Sequence, residues 1–310
     1  MKIIMIGHGM VGHKFIESVL EHVGDDVEIT ILAEEPRLAY DRVHLTEYFS
    51  GKSAKDLTLC RADFADAYGI DLRLNTKAVA IDQSHKTVTT NHGDVLSFDK
   101  LILATGSYAF VPPISGNDRE NCFVYRTIED LDAIRAASLN AKSGVVIGGG
   151  LLGLEAAKAL RDLNLETHVV EFAPRLMAVQ IDDLGGKVLR AKIENLGVKV
   201  HTQKATSSIE EGATTKHVMK FGDGSELETD IILFSAGIRP RDELARQSGL
   251  ALGERGGIMI NDYCQTSNPD IYAIGECALW QNKIYGLVAP GYDMARIAAK
   301  HVTEQACAEF

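Results

Sequence analysis

The segment KIIMIGHGMVG at residues 2–12 returns in outline as GVVIGGGLLG at 144–153. In each copy a short aliphatic run meets a G-x-G-x-x-G turn, and apolar residues at helical spacing follow. Helices are expected over 10–22 and 151–163. Each is followed by a further apolar strand, 27–33 and 166–170, that ends at an acid, Glu34 and Glu171. Those acids fall 22 and 18 residues after Gly12 and Gly153. At that separation a dinucleotide-binding βαβ unit presents a carboxylate to a ribose diol. The glycines divide the work: Gly7 and Gly148 make the tight turn, Gly9 and Gly150 let backbone approach a pyrophosphate, and Gly12 and Gly153 let helix and strand close. The pyrophosphate then rests on a helix N-terminus, where free N–H groups and the helix dipole favour an anion. A glycine-rich turn that binds nothing accounts poorly for two copies, each with its acid.

FDKLILATGS at 98–107 reads as a strand ending in an Ala104-Thr105-Gly106 turn, and DIILFSAGIRP at 230–240 repeats the arrangement. Pro112, Pro113 and Pro240 punctuate the crossings. The expected fold is α/β: two Rossmann-like three-layer ββα dinucleotide-binding domains, one inserted in the other. Residues 1–112 and 239–310 form the outer domain and 113–238 the inserted one. Strand-like pieces at 78–90, 216–222 and 226–234 suit small β-meanders appended to each.

A chain of 310 residues, 45% hydrophobic and 24% charged, suits two ordinary domains. The formal net charge of −11 argues against a nucleic-acid surface, which needs clustered positive charge, and it permits docking to a basic partner. No apolar run approaches the ~20 residues that span a bilayer. The start runs straight into a strand without a cleavable signal, so a cytoplasmic location is expected. Cys60, Cys122, Cys264, Cys277 and Cys307 are mutually distant in sequence. They offer no C-x-x-C redox pair, no metal site and no iron–sulfur spacing.

The GHGMVG and GGGLLG loops, ATG at 104–106 and SNPDIYAIGECA at 267–278 together resemble the two-dinucleotide-fold flavoprotein reductases, the pyridine nucleotide–disulfide oxidoreductase superfamily. AEEPRLAYDRVHLTEYFSGK at 33–52 and IGECALWQNKIYGLVAP at 274–290 are similar to a narrower branch, the FAD/NAD-binding portion of the NADH-dependent nitrite reductase large subunits. The resemblance covers nearly the whole chain. It implies FAD in the outer domain, NAD in the inserted one, and hydride transfer from NADH to flavin. Electrons would then pass to an iron–sulfur/sirohaem domain or a small electron-carrier protein. Members of that branch continue through cysteine-bearing domains, so a chain ending at Phe310 is expected to be a fragment, a truncated relative or an electron-entry subunit. The alternatives are a free-standing NADH-dependent rubredoxin- or ferredoxin-type reductase and a non-catalytic flavin/NAD redox sensor.

The same resemblance implies a set of cofactor-binding positions. On the FAD side these are Gly7, Gly9, Met10, Val11, Gly12, Glu34, Glu35, Arg42, Val79, Ala104, Thr105, Gly106, Gly275, Glu276, Val288 and Pro290. On the NAD side they are Gly148, Gly150, Leu151, Leu152, Gly153, Glu171 and Gly237. Arg42 matches an arginine that lies along FAD, and its cationic fork suits a phosphate or the flavin's polar edge; the other reading is a surface loop arginine. Glu276 stands where relatives carry Asp beside the flavin's ribityl–phosphate. The helix entered near Pro290 is expected to aim its dipole at the flavin.

Three residues are candidates for the chemistry. Glu155, in the first turn after GGGLLG, is placed to reach the nicotinamide carboxamide or the flavin edge; equally, it complements a helix dipole. His44 is a candidate proton donor to reduced flavin, or a polar loop residue. Glu47 occupies the position of a lysine in ferredoxin- and rubredoxin-type reductases, a lysine that pairs with the glutamate matching Glu155. Two carboxylates are therefore expected to face each other. A carboxylate at Glu171 accepts the 2′-OH of NAD and repels a 2′-phosphate, and the next basic residue is Arg175, so NADH is preferred over NADPH. Cys277 is expected to be a buried, inert thiol.

Overall fold

A computed structural model describes residues 1–22, 27–304 and 309–310. The chain divides into two units. The first comprises Met1–Asp41, Leu57–Tyr108 and Arg239–Phe310, and the second Arg42–Asp56 and Ala109–Ile238. One boundary falls at the expected 238/239. The other lies four residues before the expected 112/113.

The first unit is built on a parallel five-stranded sheet in the order Ile271–Ala273, Lys100–Leu103, Lys2–Ile6, Glu28–Leu32, Asp71–Arg73. Lys2–Ile6 is central because it is apolar on both faces; Ile3, Ile4, Met5 and Ile6 are all buried. Its register runs Ile3 opposite Ile29 on one side and opposite Lys100 on the other. The Met10–Leu20 helix buries Phe15, Ile16 and Val19 and packs along the closing helix, Val288–Val302. A three-stranded antiparallel meander, Ala78–Asp82, Thr87–Thr90 and Val95–Ser97, completes the unit. The expected piece at 78–90 is thus two strands, with Lys86 in the left-handed region (φ 50°) at the turn between them.

The second unit repeats the plan. Its parallel sheet runs Val198–His201, Glu166–Val170, Ser143–Ile147, Ile231–Phe234, Cys122–Val124. Leu151–Asp162 packs on Ser143–Ile147 through Ala156, Ala159 and Leu160, and the absence of a side chain at Gly144 makes room for Leu160. The meander is Thr206–Glu211, His217–Phe221 and Glu226–Thr229, and its Ile209, Met219 and Phe221 form an apolar cluster with Val145, Ile232 and Phe234. The expected strand at 226–234 is split at Asp230, whose carboxylate takes the Lys142 and Ser143 amides at 2.8 and 3.1 Å.

Two helices of this unit lack any glycine motif. Ile128–Ser138 starts at a capping box, in which Thr127 and Asp130 exchange side-chain-to-backbone hydrogen bonds. Asp183–Asn195 starts at Asp182, which accepts from the Gly185 amide at 2.8 Å. His168 and His201, on adjacent strands, lie 5° from coplanar with Nδ1 and Nε2 3.0 Å apart, so one ring donates a proton to the other.

The grouping of Arg42–Asp56 with the second unit departs from the expected 1–112 domain. Side chains explain it. Tyr48 donates to Asp132, Arg135 lies 4.3 Å over the Tyr48 ring and donates to the Tyr48 carbonyl, and Tyr125 donates to Thr46 at 3.1 Å. No helix among the described residues is long and apolar enough to cross a membrane.

Candidate functional site

The two glycine loops are built alike. Gly7 has φ +101°, and a Cβ there would run into the Ala104 carbonyl; Gly148 has φ +122° and meets the Ser235 carbonyl in the same way. Gly12 and Gly153 close onto the carbonyls of Gly7 and Gly148. The middle glycines differ from both. At Gly9 and Gly150 an added Cβ would meet nothing within 4 Å. Each loop therefore has two sealed positions flanking one open to the space before a helix, and neither helix carries an acid in its first turn; Glu155, expected in that turn, lies beyond it. That is the shape and polarity a pyrophosphate requires. The ATG turn at 104–106 and its counterpart at 235–237 thus serve as the walls against which the first glycine of each loop is pressed.

In the first unit, Glu34 and Glu35 follow the Glu28–Leu32 strand. Glu34 is half-exposed and bracketed by two cations: Arg241 Nη1 lies 2.9 Å from Oε2 and Lys77 Nζ 3.3 Å from Oε1. Glu35 accepts from the Tyr40 hydroxyl at 2.8 Å. Val11 fills the space beside Gly275 and Gly291, so its side chain is packing and only its backbone faces the loop. Gly275 has φ +77°, and Glu276 accepts from Ser107 at 2.7 Å. Val79 is exposed, while Met10, Val288 and Pro290 sit in first turns of helices. The Val288–Val302 helix has no acid in its first turn and carries Lys300 and His301 in its last, which leaves its positive end for a negative group. Cys277 is fully buried with Sγ 3.3 Å from the Leu103 and Ile274 carbonyls, and burial pushes its thiol up, away from the reactive thiolate.

In the second unit, Glu171 is fixed by main chain. Its two oxygens accept from the Gly149 amide at 2.5 Å and the Ala173 amide at 2.7 Å. Arg175, the nearest basic residue in sequence, is spent on other partners: the Ile181 carbonyl at 3.0 Å, Asp183 at 2.7 Å and the Ala178 carbonyl at 3.2 Å. Leu151 and Leu152 are exposed at the helix start. Gly237 has φ +108° and accepts from the Phe110 amide.

The three candidates for the chemistry all lie in this unit, because Arg42–Asp56 belongs to it. The short Leu45–Tyr48 helix packs on Leu151–Asp162. Burial raises the Glu155 carboxyl above the ordinary range, and the charge of His44 opposes that rise. Glu47 has Lys52 as an ion-pair partner, and the charge that offsets burial of Glu155 is that of His44. Arg42 donates to the Arg126 carbonyl at 2.9 Å. Sequence reasoning missed Tyr125, Arg135 and Arg241. The first two flank Thr127-x-x-Asp130, a helix-start signal legible without structure. Arg241 lies only three residues beyond the 230–238 strand and turn, and nothing in its spacing ties it to Glu34.

The sequence profile of the pyridine nucleotide-disulphide oxidoreductase family matches residues 1–301. The nitrite reductase (NADH) large subunit of Escherichia coli (strain K12) is 55% identical over 303 residues, which cover 97% of this chain and 36% of that protein. The assimilatory nitrate reductase electron transfer subunit of Bacillus subtilis (strain 168) is 38% identical over 310 residues, covering 100% and 40%. The chain thus spans little more than a third of the length of these two relatives. Among solved structures, the ferredoxin reductase for the CYP199A2 system of Rhodopseudomonas palustris superposes with a TM-score of 0.93 at 26% identity, over 100% of this chain and 78% of that one.

Proposed function

The chain belongs to the pyridine nucleotide-disulphide oxidoreductase family, and from that premise we propose that it is an FAD-dependent NADH:acceptor oxidoreductase, the electron-input module of a nitrite reductase. Membership implies FAD and NAD(H) as the cofactors, and the paired glycine loops, each with an open middle position and an acid, fit them. That pairing is the observation that carries the reading. Bound FAD would supply the chemistry that accepts a hydride and passes electrons onward one at a time. The chain's own residues bind and orient. Gly7, Gly9 and Gly12, with the amides at Met10 and Val11, would hold the flavin's pyrophosphate, and Glu34 its ribose. Gly148, Gly150 and Gly153 with Glu171 would hold NADH. Glu155, its carboxyl raised by burial, would hold or release a proton beside the nicotinamide, with His44 modulating its charge.

Two observations support NADH over NADPH. Glu171 has both oxygens oriented by amides, ready to accept a 2′-OH, and Arg175 is already bonded three ways and so withheld from a 2′-phosphate. The electron acceptor in this reading would be an iron–sulfur/sirohaem centre outside the residues of this chain. A second reading, a free-standing reductase of a small electron carrier, is favoured by one observation: the likeness to the ferredoxin reductase extends over 78% of that shorter chain. Stopped-flow mixing tests both. NADH is expected to bleach the flavin absorbance far faster than NADPH, and a tightly held flavin that NADH cannot reduce would point to a sensor instead. Rapid rubredoxin or ferredoxin reduction without any nitrite-reducing partner would favour the second reading.

A further inference from the structure

The two ribose-facing acids are held in different ways, and the difference matches two kinds of tenant. Glu171 is fixed by two backbone amides. Glu34 is fixed by two cations, Lys77 on one oxygen and Arg241 on the other. Arg241 is itself anchored from both sides by the Ala104-Thr105-Gly106 turn: its amide donates to the Gly106 carbonyl at 2.9 Å, and its carbonyl accepts from the Thr105 hydroxyl at 2.6 Å. The same turn supplies the Ala104 carbonyl against which Gly7 is pressed. Glycine loop, ATG turn and Arg241 therefore form one rigid frame around Glu34.

We infer that Arg241, assisted by Lys77, is an adenosine latch: a positioning residue that retains FAD through its ADP half by holding the Glu34 carboxylate in one orientation. This rests on the reading of the first glycine loop as the FAD cradle. A carboxylate offers about four lone-pair directions. Arg241 and Lys77 take one on each oxygen, which leaves acceptor capacity on both oxygens for a vicinal diol. The guanidinium's planar fork fixes that orientation in a way a flexible ammonium does not. Covering the pair with a nucleoside removes water from it and strengthens it, so the latch tightens when the cofactor is seated. A resident cofactor gains from such closure, whereas a nicotinamide nucleotide that must leave after each turnover is better served by the uncharged amide clamp at Glu171.

The test compares apoprotein of the unmodified chain with Arg241→Gln, Arg241→Lys and Lys77→Gln, titrated with FAD and separately with FMN by flavin fluorescence. The main-chain anchors of Arg241 survive all three substitutions. Arg241→Gln is expected to raise the FAD Kd about tenfold, or ~1.4 kcal/mol, with Arg241→Lys recovering part of it and Lys77→Gln smaller in effect. FMN, which lacks the adenosine, is expected to bind all variants alike. An FAD Kd for Arg241→Gln within twofold of the unmodified protein would overturn the latch, as would equal weakening toward FAD and FMN. An unmodified apoprotein that binds no FAD would instead overturn the cradle assignment, and the latch with it. Thermal unfolding of the apoproteins is expected to coincide, separating loss of grip from loss of fold.

Discussion

At the scale of the residue, the glycine loop separates folding from binding. Gly7→Ala puts a side chain against the Ala104 carbonyl at φ +101°, and strain of this kind costs about 1–3 kcal/mol. Differential scanning calorimetry should show a lowered Tm for the apoprotein. Gly9→Val adds atoms to open space, so the apoprotein should unfold at an unchanged temperature while its FAD affinity falls. Glu171→Ala removes the proposed diol acceptor from the other loop. It should raise the KM for NADH by about tenfold, ~1.4 kcal/mol, and narrow the preference over NADPH as steady-state kinetics measure it. Glu155→Gln should abolish the acidic limb of the pH profile of flavin reduction if that limb belongs to the raised carboxyl. A limb that persists assigns it elsewhere.

At the scale of the element, burial of histidines sets the acid limit. His8, next to Gly7, is lowered to about 4 by burial, and His13 beside it is lowered for the same reason. His168 and His201 share a proton between two strands, with Glu166 accepting from His168, and Lys199, Lys204 and Arg190 further disfavouring charge on His201. In all four the folded state binds protons less readily than the unfolded chain. Stability is therefore full above about pH 6.5 and is lost as pH falls toward the folded-state values. For His8 the loss is on the order of 3 kcal/mol. Denaturant titrations between pH 7.5 and 4.5 should show it, and His8→Asn should flatten the slope. In the Arg42–Asp56 segment one cation makes a double contact: Arg135 both covers the Tyr48 ring and donates to its carbonyl, beside the Tyr48–Asp132 and Tyr125–Thr46 hydrogen bonds.

At the scale of the whole molecule, the parts legible in the sequence were those whose geometry admits few residues. Positive φ and sealed Cβ positions demand glycine, so Gly7, Gly12, Gly148 and Gly153 announced both loops and, through them, the parallel sheets and first helices. Glu34 and Glu171 followed from spacing alone. What the letters did not convey was long-range pairing. Arg241 meets Glu34 across 207 residues, and Tyr48 meets Asp132 across 84. An arginine or tyrosine has no local backbone signature to betray such a contact. The same reason explains the displaced 42–56 segment: its partners Asp132 and Arg135 lie on a helix, with Tyr125 just before it, and that stretch is recognisable as a helix start but not as a docking face. The net charge of −11 belongs to this scale too. Electron delivery to a basic artificial acceptor such as cytochrome c should slow as ionic strength rises, and a rate indifferent to salt would show that the surface charge does not steer encounter.

The wedge of Val11 between Gly275 and Gly291 has a temporal consequence. The first glycine loop is completed by a helix far along the chain, Val288–Val302. Most of the second unit is one continuous stretch, Ala109–Ile238, free to condense during translation, whereas the first must wait, its opening strand unfinished, until residue 291 has emerged. Prosthetic-group insertion is thereby deferred until that helix has been made, and any chain interrupted before it leaves the ribosome without a finished seat for a flavin.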